Sequence, residues 1–71
     1  MSEVCEVTMK VWQRKDGRWS GEAKLVGPGK RRTKITHRGY MDRAGVEAVL
    51  DGDVNELVNG MGWERQDEQA N

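Results

Sequence analysis

The 71 residues support one small domain, and at 35% hydrophobic against 34% charged its core is thin, with three Trp and four Met in place of an absent Phe. No apolar run approaches the ~20 residues of a membrane span, and the opening Met-Ser-Glu-Val-Cys-Glu lacks the basic and apolar regions of a secretory leader, so a cytoplasmic protein without membrane contact is expected. The net charge of zero conceals a split, since Lys10 to Arg43 holds eleven Lys/Arg against three Asp/Glu, and the remainder holds Arg65 against nine acids.

A charge dipole of this kind points to a polyanion-facing side, the alternative being two simply solvated faces. Residues 1–3 read as frayed. From Val4 the chain alternates, with Cys5, Val7, Met9 and Val11 on one side and Glu6, Thr8, Lys10 and Trp12 on the other. Period-two alternation with β-branched residues predicts a half-buried strand. Gln13 and Arg14 continue it. Lys15-Asp16-Gly17 is the turn, and the next strand has Trp19, Gly21, Ala23 and Leu25 on its more apolar side. A two-residue Asp-Gly loop sets Val11 opposite Glu22 and Met9 opposite Lys24, which crosses the faces, whereas directly opposed side chains share one. A three-residue loop pairs Val11 with Gly21, Met9 with Ala23 and Val7 with Leu25. The faces then agree, and Gly17 takes the left-handed position of a bulged turn.

Strand two ends at Val26, and Gly27-Pro28-Gly29 breaks the chain. A third strand is expected from Arg32 to Arg38, with Ile35 as its apolar anchor and Thr33 and His37 on the same side. Gly39-Tyr40-Met41 turns toward a helix. Asp42 is its N-cap, accepting from free first-turn amides. Val46, Val49, Leu50, Val54, Leu57, Val58 and Met61 recur at spacings of three and four, so one amphipathic helix is expected from Asp42 to Asn59, despite Gly45 and Gly52 inside it. Asn59-Gly60 stops it. Met61-Gly62-Trp63 folds back onto the core. The expected fold is α+β, a three-stranded antiparallel sheet packed on one C-terminal helix. It spans residues 1–63 as a single domain, with a polar, disordered tail over 64–71.

Enzymatic chemistry is not expected. One His and one Cys offer no paired nucleophile and base, no closed metal site and no internal disulfide. His37 reads as structural and Cys5 as a small buried strand residue. Gly27-Pro28-Gly29-Lys30 lacks the spacing of a phosphate loop. No cofactor and no metal are implied.

The outward sheet face carries the chemistry. In the chosen register it presents Thr8, Lys10, Trp12, Arg14, Arg18, Ser20, Glu22, Lys24, Arg32, Lys34, Thr36 and Arg38, and the loop beside it adds Lys30 and Arg31. Lys and Arg pair with nucleic-acid phosphates and release counterions. Arginine reads guanine edges with two parallel hydrogen bonds. An exposed Trp12 stacks on a base or sugar, anchors a protein contact, or simply covers the sheet edge.

The run Val11-Trp-Gln-Arg-Lys-Asp-Gly-Arg-Trp19, a polar strand ending in Leu25, Gly29-Lys-Arg-Arg-Thr-Lys-Ile35 and a helix rich in Ala, Val and Glu together resemble a known domain. It is the N-terminal arm-type DNA-binding domain of phage tyrosine-recombinase integrases, and the likeness covers about residues 7–58. That resemblance implies three strands on one helix, with the sheet face in the major groove of double-stranded DNA. The matching contacts are Lys10, Trp12, Arg14, Arg18, Lys24, Arg31, Arg32, Lys34 and Arg38. The chain departs from the family in having Gly39-Tyr-Met-Asp-Arg43 at the helix entry instead of a Lys-rich one. It also lacks a recombinase catalytic domain. The implied role is a stand-alone accessory or regulator of phage or mobile-element type, acting in the bacterial cytoplasm as a monomer or weak homo-oligomer.

The alternative is a small phage-encoded protein that binds and inhibits a host protein, as anti-CRISPR-like proteins do. There the acidic helix residues Glu47, Asp51, Asp53 and Glu56 would mimic nucleic acid, or Trp12 and the arginines would be the anchor.

Overall fold

The computed structural model describes residues 3–67. Strand β1 (Val4–Gln13) and strand β2 (Trp19–Gly27) form a hairpin, a 3-10 turn (Pro28–Lys30) leads to strand β3 (Arg31–Tyr40), helix α1 (Arg43–Met61) crosses back, and strand β4 (Glu64–Asp67) closes the order. The fold is α+β, but the sheet has four strands in the order β3-β2-β1-β4. The first three are antiparallel, and β4 lies parallel to β1.

The hairpin adopts the expected register, pairing Val7 with Leu25, Met9 with Ala23 and Val11 with Gly21. Arg14 N–H donates to the Arg18 carbonyl at 2.8 Å and closes a loop of Lys15, Asp16 and Gly17. Gly17 takes φ +87°, and the Arg18 N–H donates to Asp16 Oδ1 at 3.0 Å. This is the left-handed glycine that a bulged turn needs. Strand β3 begins one residue earlier and ends two later than expected. Its extension depends on Gly39 (φ +81°). There the register shifts from Gly21↔His37 to Trp19↔Tyr40, so Arg38 and Gly39 together oppose Ser20. A bulge of this kind reverses the alternation and turns Tyr40 onto the core.

Asp42 is the N-cap, its Oδ1 accepting from Gly45 N–H at 2.7 Å. The helix stops at Gly62 and not at the expected Asn59-Gly60. Gly62 is left-handed (φ +72°), its N–H donates to the Asn59 carbonyl at 3.1 Å, and Trp63 N–H donates to the Val58 carbonyl at 2.9 Å. That paired closure is commonly accompanied by a hydrophobic residue just after the glycine. Trp63 is the residue that fits, and it packs on the core as expected.

The core joins Cys5, Val7, Ala23 and Leu25 of the sheet to Val46, Leu50, Val54 and Val58 of the helix. The helical four recur every fourth residue and form one stripe. Each such aliphatic side chain contributes about 1.5–3 kcal/mol on full burial. The helix approaches closely because β2 is nearly bare. A Cβ on Gly21 would lie 2.5 Å from Leu50 Cδ1 and 3.0 Å from Val46 Cγ2, and one on Gly27 would lie 2.6 Å from the Trp63 ring.

The expected polar tail is corrected over Glu64–Asp67, which form β4 along β1; residues 68–71 lie outside the described residues. Trp63 delivers the chain to the sheet edge, and Glu64 N–H donates to the Glu3 carbonyl at 2.7 Å. Arg65 then clamps the strand. Its Nη1 reaches Asp51 Oδ1 and Asn55 Oδ1, and its Nε reaches Asp67 Oδ1, all at 2.7 Å. Its Nη2 lies 3.7 Å from Met9 Sδ. Polar composition hides this, because one half-buried arginine with three partners does what an apolar residue does in other edge strands.

Three substitutions test this packing. Gly21→Ala should destabilise the domain by about 1–3 kcal/mol through overpacking. Gly52→Ala, made in open space on the same helix, should stabilise it by up to ~1 kcal/mol; denaturant unfolding reads both. Arg65→Met should cost about 1–3 kcal/mol from the partners left unpaired, and hydrogen exchange should show the amides of β4 opening ahead of those of β1 and β2.

Candidate nucleic-acid interface

The face of the sheet away from the helix is set by strand alternation. Across β1, β2 and β3 its rows are Glu6–Val26–Arg32, then Thr8–Lys24–Lys34, then Lys10–Glu22–Thr36, and last Trp12–Ser20 with Arg38 at the bulge. Lys10, Trp12, Lys24, Arg32, Lys34 and Arg38 therefore share one surface, as the sequence predicts. Arg14 continues it at the hairpin tip. Two of the predicted residues lie elsewhere. Arg31 pairs with Gly27, whose open side faces Trp63, so Arg31 stands on the helix side of the sheet. Arg18 Nη1 donates to the Gly39 carbonyl at 3.3 Å and lies 3.7 Å from Met41 Sδ, which ties it to the junction of β3 and α1.

Glu22 sits at the centre, only 9% exposed. Its Oε1 is 3.1 Å from Lys34 Nζ and its Oε2 is 3.8 Å from Lys10 Nζ. The hydrogen bond from Lys34 holds its carboxyl below the usual range; partial desolvation opposes this, and the charges of Lys34, Lys24 and Lys10 add to it. Three lysines thus surround one acid, which engages Lys34 and Lys10, and the middle of the face keeps a net positive charge. Lys10 Nζ also lies over the Trp12 ring, 5.8 Å from its centre, and Trp12 is 39% exposed. Beside it Ser20 is fully buried, with an Oγ that has no hydrogen-bond partner among the described residues. Strand alternation marks Ser20 as outward, and no sequence signal foretells its burial.

The remaining cations differ. Among the described residues no acceptor engages the side chains of Arg14, Lys24, Arg32 or Arg38, whereas Lys10, Lys34 and Arg18 have the partners above.

The acidic helix is the opposite case. Glu47 accepts from Arg43 Nε at 2.6 Å, Asp51 is paired with Arg65, and Asp53 Oδ2 lies 2.6 Å from His37 Nε2. Of the four acids singled out in the sequence, only Glu56 has no partner among the described residues. The His37–Asp53 contact joins β3 to α1, and His37 also meets Tyr40 edge-on at 6.0 Å. Burial pushes the Cys5 thiol up, with Glu6 adding to the effect, so at neutral pH it is a small apolar group. Among the described residues no group of His, Cys, Asp and Glu could hold a metal ion, and no helix is long and apolar enough to cross a membrane.

No family model, no curated protein and no solved structure matches this chain.

The lowered Glu22 carboxyl has a pH consequence. A depressed folded-state pKa stabilises the fold above the unfolded value, and this is lost as pH falls through the folded one. The stability advantage of the wild type over Glu22→Gln should hold at neutral pH and vanish progressively below roughly pH 4. Thermal unfolding of the two proteins across that range measures it.

Proposed function

We propose that the protein is a non-enzymatic DNA-binding module that contacts duplex phosphates through the outer face of its sheet. One observation carries this reading. Cations of the outer face (Arg14, Lys24, Arg32 and Arg38) lack protein partners among the described residues, while the helix acids Glu47, Asp51 and Asp53 are each paired within the fold. Unpaired cations on one pleated surface are what phosphates need, and the released counterions supply the driving force. Trp12, half exposed at the edge of the same surface, offers a flat apolar contact to sugar or base. The resemblance to the arm-type domain of phage integrases supports the same surface and an accessory or regulatory role. The alternative, inhibition of a host protein by an acidic helix that mimics nucleic acid, has less free charge to work with, since among the described residues Glu56 is the one of its four acids without a partner.

Titrating labelled duplex with the protein at rising salt tests the proposal. Each phosphate contact should steepen the slope of log K against log salt by about −0.9, and four contacts give a slope near −4. Charge reversal at Arg14, Lys24 and Arg38 should remove most of that slope while leaving the unfolding transition in place. Glu22→Gln, by releasing Lys10 and Lys34, should tighten binding severalfold. Absence of duplex binding at low salt would refute the reading, and a protein partner captured equally with and without nuclease would favour the alternative.

A further inference from the structure

Strand β3 is an open edge. It runs for ten residues, Arg31–Tyr40, and among the described residues it pairs only with β2. No described element covers its far side. Exposed edges are normally kept short, broken by proline or shielded, because their free N–H and C=O groups recruit other strands. This one is long, has no proline, and is irregular only at Gly39. Its protection is charge: Arg32, Lys34 and Arg38 point outward along it.

Below that edge the helix leaves a depression, where Thr33 and Ile35 of β3 face Leu57, Gly60 and Met61 of α1. Its lining is mainly apolar, and Met61 is 44% exposed. Acids stand on the helix side of the same depression, at Asp53 and Glu56.

We infer that β3 accepts an extended partner peptide as a fifth strand, and that this peptide alternates apolar with acidic residues. The argument is one of register and charge. A strand added about 4.8 Å from β3 shares its alternation, so every second side chain enters the depression over Ile35, Leu57 and Met61. The others stand beside Arg32 and Arg38, which no acceptor engages among the described residues, and beside Lys34, which is shared with Glu22; all lie within reach of cross-strand ion pairs. Glu56 on the helix wall, without a partner among the described residues, repels a peptide whose carboxylates point inward, and this selects the apolar row for the groove. A second copy of this chain is the wrong occupant, since β3 against β3 would set one basic row against another, and like charges across a strand pair are destabilising. Main-chain pairing would supply affinity and the groove would supply selectivity, as in other strand-addition sites. The inference does not depend on DNA binding.

The test uses a fluorescent, end-blocked peptide of alternating glutamate and valine, about seven residues long, with fluorescence anisotropy as the readout in the absence of nucleic acid. Saturable binding is expected, with added protection of β3 amides in hydrogen exchange. The same peptide methylated on alternate backbone nitrogens should lose binding, and a block peptide of equal composition should bind at least about tenfold more weakly. Met61→Glu should weaken binding about tenfold, its fold being checked by the unfolding transition. Equal binding of the methylated or block peptide would reduce the effect to general charge attraction and overturn the inference. So would protection confined to β1, or a dimeric solution mass with β3 amides already protected before peptide is added.

Discussion

The whole architecture depends on how little side chain β2 presents to the helix. Gly21, Ala23 and Gly27 leave a shallow trough with Leu25 in it, and into that trough come Leu50 and Trp63. A chain without Phe has few ways to fill a core, and close backbone approach replaces bulk. Once Leu50 is seated over Gly21, the helix axis is settled. Its two ends follow. Asp42 caps one at the exit of β3, and Gly62 turns the other so that Trp63 drops over Gly27. The chain then emerges at the edge of β1, running parallel to it, because the helix has reversed the direction set by β3. The short fourth strand is thus a result of helix placement, and Arg65 holds it there through Asp51, Asn55 and Asp67.

The charges sort themselves around this core in two different ways. On the helix side, acids are tied to local partners: Glu47 to Arg43, Asp51 to Arg65, Asp53 to His37. These are exposed or half-exposed pairs, and such pairs contribute modestly to stability. Their larger effect is to remove free acid from that side. On the outer face the central acid, Glu22, is shared by lysines of two neighbouring strands. It keeps cross-strand repulsion from splaying β1, β2 and β3, and it leaves the cations at the periphery of the face unneutralised. A face built like this has one shared acid at its centre and unengaged cations around it.

Much of this was legible in the residues. The hairpin register followed from one rule, that opposed side chains share a face, applied to Val11, Met9 and Val7. Asp42 as N-cap, one helix through Gly52, and Trp19 and Trp63 at the core all followed from local chemistry. The errors have specific physical sources. Gly60 and Gly62 are equally good stops in isolation, and the choice between them was made by where Trp63 had to land. Arg31 looked like a loop residue beside the basic face, but β3 starts one residue early and its alternation carries Arg31 to the other side. Glu64–Asp67 is polar in composition, and only the nearness of Asp51, Asn55 and β1 makes it a strand.

The sequence by itself determined the strand periods, the hairpin turn, the helix and its cap, and the segregation of basic from acidic segments, since each of these is set by neighbours within a few residues. The tertiary structure alone decided the helix end, the parallel fourth strand, the burial of Ser20, and which charges are already paired. Those outcomes depend on distances between residues far apart in the chain, such as Gly27 to Trp63 and His37 to Asp53. Composition records that the charges exist, and only their placement determines which remain available to a partner.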